Sequence, residues 1–436
     1  MLNIDPEKFV VLLLTSAITT WLALTVTSNQ AQRVMLLLVL AGFFLYSGLA
    51  TTDVWVGAQY IVYYGIFSFS IVFGFWVGLG LFSSIGSAIS EFAAPRVESL
   101  TSGRFPSYFI LFFIALHLLN LVAPEFRLHL LVDPPVPNLR LWFSGRLEGS
   151  QSGGNSLLHY ITTLSVPFFY LSLFYFRRNA VKLILIVGAI TYIKYVDQAY
   201  IGRSELFFNA VFIFLVLWTE HRTIRWLLVV AAVCSAPVIV TGFYAYSLLR
   251  LGVDLASIDL TDAVARVLDS EFTFLIRAGI PLIDSAQHAD LGRYFAWILT
   301  LPIPSLLKGG ADVARVNYEM SAIVLGRGVS DPGFYVLLPG LLAESIYLFG
   351  NTFFFAHAIF VGTAAAFFCR LCERSSNMNT MFIYVVMLFF YSLNRGGISS
   401  LLPSVVNEFL LFYLFLGISI YRTKASLWRV LPSQYP

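Results

Sequence analysis

Charge is what this chain has least of. Only 12% of its 436 residues are Asp, Glu, Lys or Arg, against about 25% in an ordinary soluble domain. So few charges cannot cover the surface of a soluble fold of this size. A net charge of +3 without a basic cluster excludes a nucleic-acid-binding module, and 58% apolar residues exclude disorder. Three cysteines exclude a disulfide scaffold. Cys369 and Cys372 make a CxxC, but no second ligand pair follows, so no metal site and no cofactor are expected. Walker, dinucleotide, HExxH and Ser-His-Asp patterns are all missing. The first apolar run lacks a basic leader before it and a small-x-small site after it, so it reads as a retained span rather than a cleaved signal. There is no internal repeat and no inverted hydropathy symmetry, which weighs against a transporter.

What is abundant is hydrocarbon, with a mean hydropathy of +0.80. A span needs about 20 mostly apolar residues. That spacing predicts an all-α polytopic membrane protein of about 11 (10–12) transmembrane helices. They fall at 9–26, 34–51, 58–82, 107–123, 158–176, 180–198, 204–219, 226–248, 349–370, 379–393 and 401–420. Residues 1–436 then form a single integral membrane domain. Arg177, Arg178 and Lys182 mark one cytoplasmic turn, Arg222 and Arg225 a second, and Arg370 and Arg374 a third. Arg422, Lys424 and Arg429 put the C-terminus on the same side, and the N-terminus comes out periplasmic.

Two outer loops are long, 124–157 and 249–348. Between residues 250 and 331 the second carries 17 of the chain's 51 formal charges, among them Glu271 and nine other acids. Leu, Ile, Val and Phe run through it, so it is not disordered in composition. Helices are predicted over 262–278, stopping at Gly279 with Pro281 beyond, over about 289–300, and over about 311–325, stopping at Gly326. The segment 334–348 is broken at Pro339-Gly340 and holds Glu344. Together they predict a helical outer (periplasmic) cap that half-enters the bilayer boundary.

Charges at a membrane edge are costly and mark candidate sites. Arg203 opens a helix with a strongly apolar continuation, a good place for a phosphate. Arg277, Arg315, Lys308 and Arg327 stand among prolines and glycines in the outer loop, and Arg395 lies in the outer turn Asn394-Arg395-Gly396-Gly397. A diphosphate needs two or three such donors. His288, between Asp284 and Asp290, has the pKa range of a general base, and Glu344 is a carboxylate in an apolar stretch. Arg315 and Glu319 stand at i,i+4 and can simply pair. His117 and His357 fall inside spans, where packing or polar contacts are expected.

Three segments carry a likeness: IGRSELFFNAVFIFLVLW at 201–218, IPSLLKGG at 303–310 and PGLLAESIYLFGNTFFFAHAIFVG at 339–362. In these the chain resembles the Wzy-type O-antigen and oligosaccharide repeat-unit polymerases of bacterial surface polysaccharide pathways. The resemblance implies a glycosyltransferase of the bacterial cytoplasmic (inner) membrane working at its periplasmic face. Both substrates would be undecaprenyl-diphosphate-linked glycans, with no nucleotide. Arg203, Arg277 and Arg315 would hold the diphosphate, with Lys308, Arg327 and Arg395 behind them, and His288 or Glu344 would activate the acceptor hydroxyl. A chain-length regulator and a flippase of the same pathway are the expected partners, together with membrane lipid and no nucleic acid. An O-antigen ligase-like enzyme and a lipid-linked glycan transporter are the rival expectations.

Overall fold

A computed structural model describes residues 3–88, 93–122, 127–134, 153–198, 203–249, 263–285, 287–303, 316–328, 331, 334–373 and 375–430. The described elements are helical, and an isolated bridge between Ile4 and Asp53 is the one β contact among them. The principal helices are α1 (Pro6–Val26), α2 (Gln30–Thr51), α3 (Gln59–Leu81), α4 (Phe105–Val122), α5 (Gly153–Leu173), α6 (Ala180–Gln198), α7 (Arg203–Glu220) and α8 (Arg225–Leu249). They continue with α9 (Ala263–Phe272), α10 (Leu291–Thr300), α11 (Val316–Leu325), α12 (Leu341–Cys372), α13 (Ser376–Gly396), α14 (Ile398–Glu408) and α15 (Leu410–Val430).

Among the described residues seven helices are long and apolar enough to cross a membrane, and nine segments are if two bent pairs each count as one span. This is an all-α, multi-span membrane protein. The expected count of eleven is not reached because of α6 and α7. Both form helices, of 19 and 18 residues. Each nevertheless carries three charges: Lys182, Lys194 and Asp197 in the first, Arg203, Glu205 and Glu220 in the second. The span expected at 58–82 forms as α3, and a separate short helix follows it at Ser83–Ala88.

The chain folds as two compact units. One comprises residues 95–268 and 377–383. Here α6 and α7 are tied by the Asn209 amide donating to Thr191 Oγ1 at 2.9 Å and by the ion pair Lys194–Glu205 at 2.8 Å. Between them an open groove of about 410 Å³ is walled by Ile184, Val187, Tyr195, Leu206 and Ile213.

The other unit comprises 1–94, 269–376 and 384–436. Asp5 caps α1 by accepting from the Glu7 and Lys8 amides, with Pro6 in the first turn, and Asn29 caps α2 through the Gln32 amide. Its tightest seam joins α3 to α12. A Cβ on Gly74 would stand 2.2 Å from the Ile359 carbonyl, and one on Gly362 would stand 2.1 Å from the Ile71 carbonyl. Gly74 and Gly78 form a GxxxG face, the small-residue contact by which membrane helices approach without a hydrophobic driving force. Thr363 adds a hydrogen bond to the Gly74 carbonyl at 3.1 Å. Gly74→Ala is therefore expected to force the two backbones apart and cost about 1–3 kcal/mol. Gly80→Ala, which meets nothing within 4 Å, should be near neutral. Thermal unfolding in detergent distinguishes them, and equal melting of the two variants would contradict the seam.

The two ends of this bundle differ. At one end the Arg370 guanidinium donates to the Leu79 carbonyl, and Glu373 accepts from Asn29 and Gln32. At the other lie the N-terminal residues, bonded to Thr52 and Val54, the segment that follows Asp269, and the end of α13. The segment from Ala263 does not stop at Gly279. The helix expected over 262–278 ends at Phe272, and after Thr273 the chain turns helical again, passes through a π turn (Leu275–Gly279) and runs on to Asp284. Gly279 is in right-handed helical backbone, and a Cβ there would meet Ala343 at 2.7 Å. It is a close-packing glycine, not a helix stop. By contrast α11 does end at Gly326, at φ 60°, and α12 starts after Gly340, at φ 87°.

Candidate functional site

The end of α13 is where the polar chemistry gathers. Residues Leu388–Leu393 form a π turn, whose extra residue loosens the usual ladder. Asn394, fully buried, answers it: its amide donates to the carbonyls of Phe389 (2.9 Å), Phe390 (3.1 Å) and Val39 (3.3 Å). Gly42 of α2 leaves the room, since a Cβ there would be 2.4 Å from Asn394 Nδ2.

Pinned by that clamp, Arg395 lies in an aromatic cage. Its guanidinium hydrogen-bonds the Tyr391 hydroxyl, one helical turn back, and pairs with Glu271 at 3.4 Å. It stands 5.0 Å from the Phe274 ring centre and 5.5 Å from that of Tyr391. Tyr46 closes the wall, with ring centres 5.2 Å from Phe272, 6.2 Å from Phe274 and 5.9 Å from Tyr391. The side chains of Arg395 and Glu271 are each only 15% exposed, and Arg395 Nε is buried without a hydrogen bond. Two π turns supply residues here, Phe44–Gly48 giving Tyr46 and Leu388–Leu393 giving Tyr391, and a third, Leu275–Gly279, follows directly on Phe274. π turns recur at functional sites because they reaim side chains out of helical register. The Arg395 guanidinium is a planar, multidonor cation of the type that oxyanions pair with.

The other candidates are placed as follows. Glu344 is 1% exposed, and its oxygens accept from the Ile398 amide (2.5 Å), the Ser399 amide (2.9 Å) and the Ser399 hydroxyl. It caps α14 across the turn at Gly397, which sits at φ 72°. Arg277 is exposed and paired with Asp269. Arg327 is exposed just after Gly326. His288 is exposed, and its neighbour Asp290 caps α10 through the Gly292 and Arg293 amides. Glu319 pairs with Arg293 at 3.1 Å. Burial pushes the Glu319 carboxyl up, and the Arg293 guanidinium pulls it back. Arg203 opens α7, with its side chain outside the described residues, as are Lys308 and Arg315 altogether.

A second buried polar group braces the break in α12 at Gly350, φ 67°. Ser345 before the break donates to the Leu341 carbonyl and meets His357 Nδ1, after it, at 2.7 Å. His357 Nε2 faces the Tyr294 hydroxyl at 3.5 Å. Ser345, His357 and Tyr294 are all buried, so this is a polar contact inside the fold, as expected of an intraspan histidine. Glu271, Tyr46 and Tyr391 are the site residues that sequence reasoning passes over. The i,i+4 spacing of Tyr391 and Arg395 is a signal for Tyr391; Glu271 and Tyr46 have none.

No protein-family profile, curated protein or solved structure matches the chain.

Proposed function

We propose that the chain is a membrane glycosyltransferase that polymerises undecaprenyl-diphosphate-linked repeat units into O-antigen or a related surface polysaccharide. The caged Arg395 carries this reading. It is a desolvated guanidinium, held rigidly and with a free donor, at the end of the bundle that bears the outer segment. A leaving diphosphate needs such a charge, and a preset cation in a dry site stabilises it far better than one in water. Arg277 is the second cation on that side, while Arg203, Lys308, Arg315 and Arg327 remain candidates from sequence. In this reading the Arg395 end faces the periplasm, and the basic residues Arg370 and Arg422 lie toward the cytoplasm. Glycan chemistry follows from the resemblance at 201–218, 303–310 and 339–362.

One observation favours a second reading. Glycines at positive φ break the chain at 340, 350 and 397, and broken helices are a habit of transporters. The glycan ladder of a strain lacking this gene separates the two. Loss of the long ladder with a single repeat unit still attached is the expected result. Lipid-linked single units stranded at the cytoplasmic face would mean transport. Loss of all repeats with lipid-linked polymer accumulating would mean a ligase.

A further inference from the structure

Resting on the glycosyl-transfer reading, we infer that Glu271 is the catalytic base of this site, held idle by Arg395 until a donor diphosphate draws the guanidinium away. An inverting displacement needs two opposite charges close together. A cation stabilises the departing diphosphate, and a carboxylate takes the proton of the attacking hydroxyl. Arg395 and Glu271 are such a pair, 3.4 Å apart and equally buried.

Other groups at this end are already committed. Glu344 has both oxygens on the backbone of α14. Asp269 pairs with the exposed Arg277. His288 is exposed and hydrogen-bonds to none of the cage residues. Asp269 and Glu271 each pair with an arginine assigned to the diphosphate, but Arg277 is 56% exposed and Arg395 only 15%, so the Glu271 pair is the one held away from water.

The reaction then balances without a further reagent. The acceptor hydroxyl oxygen forms the new bond to the anomeric carbon. The bond from that carbon to the diphosphate oxygen breaks, and its electron pair leaves with undecaprenyl diphosphate beside Arg395. The hydroxyl proton passes to Glu271.

The test uses the full chain, expressed in a strain lacking its gene and also purified in detergent with undecaprenyl diphosphate as the binding probe. Glu271→Gln should lower transfer by about 10²–10⁴-fold while binding the probe at least as tightly as the parent, because Arg395 has been released. Glu271→Asp should restore part of the ladder. A glutamine variant with a full ladder overturns the inference. So does one that loses probe binding together with polymer, since Glu271 would then only support Arg395. Should the glutamine variant fail to accumulate, the aspartate variant decides: slowed transfer at unchanged donor KM supports the base, and an unchanged rate overturns it. If the parent chain binds no probe and the deletion strain keeps its long ladder, the glycosyl-transfer reading has failed and this inference falls with it.

Discussion

Replacing Arg395 with alanine is expected to remove both product and protein. The change leaves Glu271 as a largely buried carboxylate with its cation gone, and takes one wall from the contacts of Phe274 and Tyr391. Breaking a buried pair from one side costs about 3–5 kcal/mol, a large part of the ~5–15 kcal/mol that holds a domain folded. Arg395→Ala combined with Glu271→Gln removes the stranded charge. The double variant should therefore accumulate in the membrane far better than the single one, yet make no polymer. Arg395→Lys keeps the charge but cannot serve Tyr391 and Glu271 together from one flat fork. It should fold and transfer poorly. Quantitative blotting of membranes, alongside the glycan ladder, reads both effects. A normal ladder from Arg395→Ala would show that the cage is scaffolding.

Gly397→Ala is expected to be as severe, for a reason that has nothing to do with chemistry at the site. The residue sits at φ 72° and ψ −172°, a region essentially reserved for glycine. A Cβ there would also lie 1.6 Å from Glu344 Oε2. The strain alone costs of order 1–3 kcal/mol. Pushing Glu344 aside strips the cap from α14 and strands buried donors, at about 1–3 kcal/mol each. The loss of folded protein should show as a drop in melting temperature in detergent and in membrane abundance. Adding Glu344→Ala relieves the collision but neither the backbone strain nor the lost cap. The double variant should therefore lose less than the sum of the two single losses, as coupled sites do. Full stability of Gly397→Ala would contradict the turn described here.

Much of this fold is legible in the sequence because it depends on composition along the chain. Apolar runs of span length gave helices, Gly326 stopped α11, and Pro339-Gly340 broke the chain where α12 begins. Gly279 shows where local reading stops. A glycine followed by a proline two residues on has the form of a helix end, but contact with Ala343, more than sixty residues away, keeps the helix going. Glu344 makes the same point for the site. Nothing near it in sequence announces that it caps backbone amides 54 and 55 residues later. Arg395 is readable because Asn394-Arg395-Gly396-Gly397 interrupts an apolar run. Glu271 is not, because it stands among ten loop acids that local patterning cannot rank. The charges on α6 and α7 are plain in sequence, but whether Lys194 and Glu205 neutralise each other depends on how two helices meet.

The π turns also bear on how such a chain can change over generations. Each is one residue more than an α-helix would use, so the surplus is a matter of length rather than of residue identity. Losing one residue from 388–393 would restore the regular winding and change the aim of the residues inside the turn, Tyr391 among them. The cage would lose that wall although every other side chain of the site was still encoded. A substitution at Tyr391 is a smaller insult than a deletion beside it. In these helices selection therefore acts on insertions and deletions at least as strongly as on replacements. Descendants of this gene that keep the site are expected to keep the segment lengths around 44–48 and 388–393 even where the apolar residues drift.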